Sequence, residues 1–281
     1  MSESFDGARV EEVALEMRHN IVEMIAAAGS GHPGGSLSAA DIVAVLYFGG
    51  ILRHDPENPG DPARDRFILS KGHAAPVLYA ALAQAGYFPV DEIVTLRKLD
   101  SRLQGHPDSL RLPGVEVSTG SLGQGLSISV GIALGLRMGG GDQRVFTLLG
   151  DGELQEGQVW EAVMSAAHYK LGNLVAMVDL NNLQIDGNCT DVMCLGDVGA
   201  KFGAFGWKVI SADGHCVESI HRALNAAIEV EDAPVVVVFR TVKGKGVSFM
   251  EDVAGWHGKA PDIEETKCAI DEIDACRVEV R

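Results

Sequence analysis

The sequence predicts an α/β fold, a parallel sheet flanked by helices. Three observations carry this expectation: short apolar runs rich in β-branched residues, helical stretches alternating with them, and a small polar loop directly after each run. The runs are Phe67-Ile68-Leu69, Val145 to Leu149, Leu174 to Val178, Lys208-Val209-Ile210 and Val235 to Phe239, and their continuous apolar character reads as buried parallel strand. Before the first run, Val10, Val13, Met17, Ile21, Met24, Ile25 and Ala28 recur at helical spacing, with Asp6 placed to cap the helix and Gly29 to stop it. Further helical patterns lie around Pro76 to Ala85, Leu126 to Met138, Val159 to Tyr169 and Val217 to Glu229. Arg53 to Arg64, with three prolines, reads as a surface loop, and the tail after Pro261 is acidic and helix-like.

The chain has 281 residues, enough for a sizeable core, and no linker or repeat divides it, so residues 1–281 are expected to form a single domain. With 23 Lys plus Arg against 39 Asp plus Glu the net charge is −16, which disfavours nucleic acid and anionic membrane as partners. The longest apolar run, Ile42 to Leu52, is interrupted by two glycines and is far shorter than the roughly 20 residues of a membrane span. Met1 to Asp6 is acidic and lacks the layout of a secretion signal, so a cytoplasmic site is expected. Five cysteines, an odd number without C-x-x-C spacing, read as reduced thiols.

Ligands of open parallel sheets collect beyond the carboxyl ends of the strands. There the runs deliver Ser70-Lys71-Gly72-His73, Gly150-Asp151-Gly152-Glu153, Asp179-Leu180-Asn181-Asn182, Asp213-Gly214-His215 and Lys243-Gly244-Lys245-Gly246. Residues 153 to 180, 28 positions, suffice for one crossover helix and the next strand, so Asp151 and Asn181 should project from adjacent strand ends. A carboxylate and an amide oxygen, joined by an exposed carbonyl near Leu183, form a hard oxygen set of low charge that suits Mg²⁺. Each piece alone is an ordinary turn or cap; the pairing at this spacing is what signals a metal. Gly120-Ser121-Leu122-Gly123-Gln124-Gly125 opens an apolar helix, whose free amides and positive dipole end suit a diphosphate. Five of the nine histidines, His32, His73, His106, His215 and His257, adjoin glycine in loops, where imidazoles serve polar-substrate binding and proton transfer. Glu156, after the GDG turn, could equally complement a helix dipole.

The runs GHPGGSLSAADI, SKGHAAPVLYAAL, GHP at 105–107, TGSLGQGLS, GDGELQEGQVWEA, NLVAMVDLNNLQIDG and KGKGVSF with WHGKAP stand in order across about residues 10–262. Together they resemble the thiamine-diphosphate-binding half of transketolase. The resemblance implies that Asp151, Asn181 and the Leu183 carbonyl hold Mg²⁺, with Ca²⁺ or Mn²⁺ as substitutes. It implies that Gly120, Ser121, Leu122 and Gly152 approach the diphosphate, and that His73, Ile185, Lys243 and His257 line the thiamine diphosphate site. His32, His73, His106 and His257 would contact sugar hydroxyls or move protons, and Glu156 would join a carboxylate network at a subunit interface. His215 matches no active-site position and is read as structural. The pyrimidine-binding and C-terminal domains of the family have no counterpart here. The implied function is therefore the N-terminal subunit of a split transketolase, active only with a complementary C-terminal subunit in an α₂β₂ assembly. It would move a two-carbon ketol unit between sugars or sugar phosphates in carbohydrate metabolism such as the pentose phosphate pathway. The alternatives are an α-type subunit of another thiamine enzyme, such as a 2-oxo acid dehydrogenase, and a non-catalytic half that only binds cofactor.

Overall fold

The structure is a computed structural model that describes residues 5–280. Of the stretch tested for a secretion signal, Met1 to Ser4 lie outside the described residues. The first helix, α1 (Gly7–Ala28), begins where the Asp6 carboxylate accepts the Arg9 N–H at 3.1 Å and ends at Gly29 in the left-handed conformation. Then come α2 (Pro33–Leu37), α3 (Ala40–Phe48), β1 (Arg66–Leu69), α4 (Ala75–Gln84), α5 (Gln124–Met138), β2 (Val145–Gly150), α6 (Gly157–His168) and β3 (Leu174–Leu180). A small hairpin of β4 (Leu183–Gln184) and β5 (Gly187–Asn188) leads to α7 (Cys189–Val192) and α8 (Val198–Ala204). The chain closes with β6 (Lys208–Asp213), α9 (Val217–Ile228), β7 (Val235–Arg240) and α10 (Ile263–Val280).

Five strands form one parallel sheet in the order β1-β2-β3-β7-β6. Successive side chains point to opposite faces, so each central strand feeds two cores. Phe146, Leu148, Val175, Met177, Val235 and Val237 pack beneath α1, α3, α4 and α9, whereas Val145, Leu149, Leu174, Ala176, Val178 and Val236 pack against α5, α6 and α8. This two-sided burial accounts for the uniformly apolar strands. One expectation fails: β6 pairs only with β7, stands at the sheet edge and is largely exposed, so it is a parallel strand but not a buried one. The apolar run from Ile42 is mostly α3, whose residues Ile42 to Leu46 are completely buried. Residues 53–64 form a loop tied down by Arg53 to Asp65 and Arg64 to Glu116. All five cysteines are unpaired, and no described helix is long and apolar enough to cross a membrane.

Candidate functional site

Because all five strands run the same way, their carboxyl ends form one crest, and a cleft of about 360 Å³ opens there. That is at the small end of ligand cavities, roughly 300–1,000 Å³. His32, His73, Gly120, Leu122, Asp151, Gly152, Glu156, Asn181, Leu183, Ile185, Lys243 and His257 all line it. Two expected residues do not. Ser121 is exposed outside the cleft, and the His106 ring packs behind Gly120. Gly120 has φ +142°, and a Cβ there would meet His106 Cδ2 at 2.8 Å, so this approach requires glycine.

Adjacent pairing of β2 with β3, Gly150 opposite Asp179, brings Asp151 and Asn181 together. Asp151 accepts the Gly152 N–H at 2.8 Å and, through its other oxygen, the Asn182 N–H. The Asn181 amide donates to Asp179 at 3.2 Å, which turns its oxygen toward the Leu183 N–H at 3.0 Å. The Leu183 carbonyl accepts the Lys243 ammonium at 2.9 Å, and the same ammonium donates to His257 Nδ1 at 2.9 Å. Burial first, and then the nearby Asp179, push the Asp151 carboxyl up to about 6. A buried carboxylate short of positive charge, beside an amide oxygen and a carbonyl, is the donor set a hard divalent cation fits. Among the described residues no group of three His, Cys, Asp or Glu could hold a metal, so this mixed set differs from a site built of charged side chains.

In the same cleft, the rings of His32, His73 and His257 stand 5.2–5.5 Å apart, centre to centre. Burial, Arg97, His106 and Lys243 push His32 down to about 4; burial, Lys243, His32 and Lys71 do the same to His257. His73 is driven well below its usual value by burial and then Lys71. All three are therefore neutral at pH 7, able both to donate and to accept. The Nδ1 of His32 is buried without a hydrogen-bond partner, as expected of an atom awaiting a ligand. Lys243 is itself lowered to about 8 by burial and the neighbouring Lys71.

Sequence reasoning named the loops but missed three residues that hold them. Lys71 and Asp179 form an ion pair, 2% and 0% exposed, with further bonds from Lys71 to the Gly35 carbonyl (2.6 Å) and from Ser38 and Thr241 to Asp179. Burial raises the Asp179 carboxyl, but Lys71 outweighs it and holds the group below the usual range. Glu153 accepts from Ser70, from the Gly123 N–H at 2.9 Å and from the Gly150 N–H at 3.1 Å, clasping the ends of β1 and β2 to the start of α5. The Gly123 amide, expected to be free for a diphosphate, is thus taken by Glu153. The only available signal was position: a lysine and two carboxylates in loops that follow buried strands.

Fold and cleft together define an α/β protein that gathers hard oxygen donors, two lysines and neutral imidazoles at the carboxyl ends of a parallel sheet. The family described as "Transketolase, thiamine diphosphate binding domain" matches residues 10–273. A 6-deoxy-6-sulfo-D-fructose transketolase subunit of Clostridium sp. is 41% identical over 94% of this chain and 98% of its own length. An apulose-4-phosphate transketolase subunit of Phocaeicola vulgatus is 40% identical over 94% of this chain and 95% of its own length. Human transketolase is 43% identical, but the chain spans only 40% of it. The crystal structure of transketolase from Campylobacter jejuni superposes with TM-score 0.88 at 32% identity, over 97% of this chain and 45% of that one. The chain belongs to the transketolase family, as its thiamine-diphosphate-binding domain.

Proposed function

We propose that the chain is the N-terminal subunit of a split transketolase, which moves a two-carbon ketol unit from a ketose to an aldose. The observation that carries this reading is the cleft itself: an Asp151, Asn181 and Leu183 oxygen set in one lining with three neutral imidazoles. The split is supported by relatives that are named subunits and are matched over 95–98% of their own length, whereas the chain covers 40% of human transketolase.

Asp151, Asn181 and the Leu183 carbonyl would hold Mg²⁺, or Ca²⁺ or Mn²⁺ in its place, once Lys243 yields or shares that carbonyl. Gly120, Leu122 and Gly152, with Ser121 at the rim, would lie along the diphosphate, and Ile185, His73, Lys243 and His257 beside the rest of the cofactor. When bound, thiamine diphosphate supplies the nucleophilic carbon and the electron sink of the reaction. This chain's own part is to position groups and move protons. His32, His73, His106 and His257 hydrogen-bond sugar hydroxyls and carry protons between substrate oxygens. Burial and neighbouring cations disfavour a standing imidazolium, so a proton taken up is readily passed on. Glu156, exposed at the start of α6 and at the margin of the cleft, would meet a complementary C-terminal subunit, with α₂β₂ as the assembly.

The substrates are sugars with a distal anionic group, the chemistry that the two relatives' names share as sulfo and phosphate. They extend beyond those of the pentose phosphate pathway. A cytoplasmic site goes with this role. The test is to measure ketol transfer by the 281-residue chain alone and then mixed with its complementary subunit. No turnover alone and turnover on mixing are expected; full activity from the chain alone would overturn the split.

A further inference from the structure

Behind the cleft, the segment that follows β7 is held from the far side of the sheet by a buried ionic group. Arg18 of α1 and Asp41 of α3, 4% and 6% exposed, pair through two hydrogen bonds of 2.8 and 2.6 Å, and Arg18 Nε donates to the Lys245 carbonyl at 3.1 Å. The same Asp41 carboxylate lies 2.8 Å from His215 Nδ1. His215 follows Gly214, whose N–H donates to the Arg240 carbonyl at the end of β7 (2.9 Å), and this places the ring beneath Val242. His215 Nε2 is 2.7 Å from the Val242 backbone nitrogen. A backbone N–H can only donate, so Nε2 carries no proton, and the ring's one N–H is the Nδ1–H given to Asp41. The tautomer is thus fixed by its two partners. Residue 243, next along the chain, is the lysine that reaches the Leu183 carbonyl and His257.

We propose that His215 is a positioning residue of the cofactor cleft: the neutral ring, oriented by Asp41, accepts the Val242 N–H and so fixes where Lys243 enters the site. The other bonds of this segment are compatible with that role. Thr241 is tied to Leu180 (3.2 Å) and Gly244 to Gly34 (3.0 Å), on either side of residues 242 and 243. Between those two anchors, His215 is the side chain that receives a backbone N–H. An aliphatic residue of similar size would fill the space but leave Val242 without its acceptor, and Lys243 would be fixed only from its C-terminal side, through the Asp252 N–H on its carbonyl (2.9 Å) and the Gly244 anchor.

The inference rests on Lys243 belonging to the cofactor site, and the experiment separates the two. His215→Asn places a donor where Nδ1 was and keeps the Asp41 bond, while His215→Gln places an acceptor where Nε2 was and keeps the Val242 bond. Amide hydrogen exchange on the full chain, without cofactor, is measured across residues 241–246 for both variants. Calorimetry of thiamine diphosphate with Mg²⁺ follows on the chain combined with its complementary subunit. In His215→Asn, exchange should quicken selectively in residues 241–246, and cofactor binding should weaken about 5- to 10-fold, the loss of roughly one hydrogen bond. In His215→Gln both should stay within about twofold of the unaltered protein. Equal behaviour of the two variants, or faster exchange spread over the whole sheet in both, would overturn the proposal in favour of a purely structural histidine. Lys243→Met serves as the control. If it leaves cofactor affinity unchanged, the assignment of Lys243 fails, while the exchange comparison still decides the role of His215.

Discussion

Two sets of imidazoles flank the segment that carries Lys243, and they differ in the sign of the charge beside them. On the cleft side, His32, His73 and His257 have Lys71, Lys243 and Arg97 as the charges acting on them. On the far side, His215 has Asp41, itself paired with Arg18. The first set is kept neutral and retains unfilled hydrogen-bonding capacity, with His32 Nδ1 lacking any partner. In the second, both ring nitrogens are engaged within the protein. On the proposed reading, the same side chain serves chemistry on one side of a loop and architecture on the other. What decides between them is the neighbouring charge and whether the fold itself has used both nitrogens.

The largest expected effect tests the floor of the cleft side. Asp151→Ala should abolish Mg²⁺-dependent retention of thiamine diphosphate, because the diphosphate would face an amide and a carbonyl with no anionic ligand for the bridging cation. Calorimetry on the assembled enzyme measures this; undiminished affinity at low Mg²⁺ would remove Asp151 from the metal site. Next, His32→Ala should keep cofactor affinity and lower turnover by about 10²–10⁴-fold if it transfers protons. A raised KM with kcat intact would recast the residue as a substrate contact. Unchanged kinetics with every sugar tried would break the comparison on that side. On the far side, Arg18→Met should leave Asp41 buried without its main counter-charge and cost about 3 kcal/mol of stability, near the lower end for a broken buried pair because His215 still donates to it. Urea unfolding reads this, and a loss below about 1 kcal/mol would show that the far-side ion pair is not what anchors the loop.

The fold was legible because its determinants are local. Buried strands of a parallel sheet are apolar on both faces, the α1 boundaries are written in Asp6 and Gly29, and the spacing from Gly150 to Asn182 admits one crossover helix. The exception, β6, teaches the converse: Lys208-Val209-Ile210 is as β-branched as a central strand, and only the order in which strands pair decides that it lies at an edge. Individual residues of the cleft were legible where the spacing of two motifs implied adjacent strand ends, as with Asp151 and Asn181. Lys71, Glu153 and Asp179 were not, since each acts through groups far away in sequence, such as Lys71 on Asp179, 108 positions apart. For His215, the DGH motif showed a loop histidine, but nothing in the chain says that residue 41 of a buried helix will meet it.

The smallest expected effect separates the two sides by pH. His32 and His257 are pushed from 6.5 to about 4 in the fold. As pH falls, the unfolded chain takes up protons first, so the stability these neutral rings contribute is complete above about 6.5 and is lost between 6.5 and 4. Asp151 runs the other way. Raised from 3.8 to about 6, its carboxylate opposes folding at neutral pH, and protonation relieves that opposition as pH falls from about 6 toward 3.8. Asp41 titrates outside this window: burial pushes it up, but Arg18 and His215 hold it at about 2, so its contribution persists above 3.8 and is lost only below. Within the cleft, between about pH 7 and 4.5, these two contributions oppose each other and partly cancel. In the chain without metal, the urea midpoint should therefore fall more steeply with acid in Asp151→Asn than in the unaltered protein, and less steeply in His32→Gln. If all three midpoints fall in parallel, neither Asp151 nor His32 shapes the acid response, and the shifted proton affinities of these two cleft groups do not govern stability.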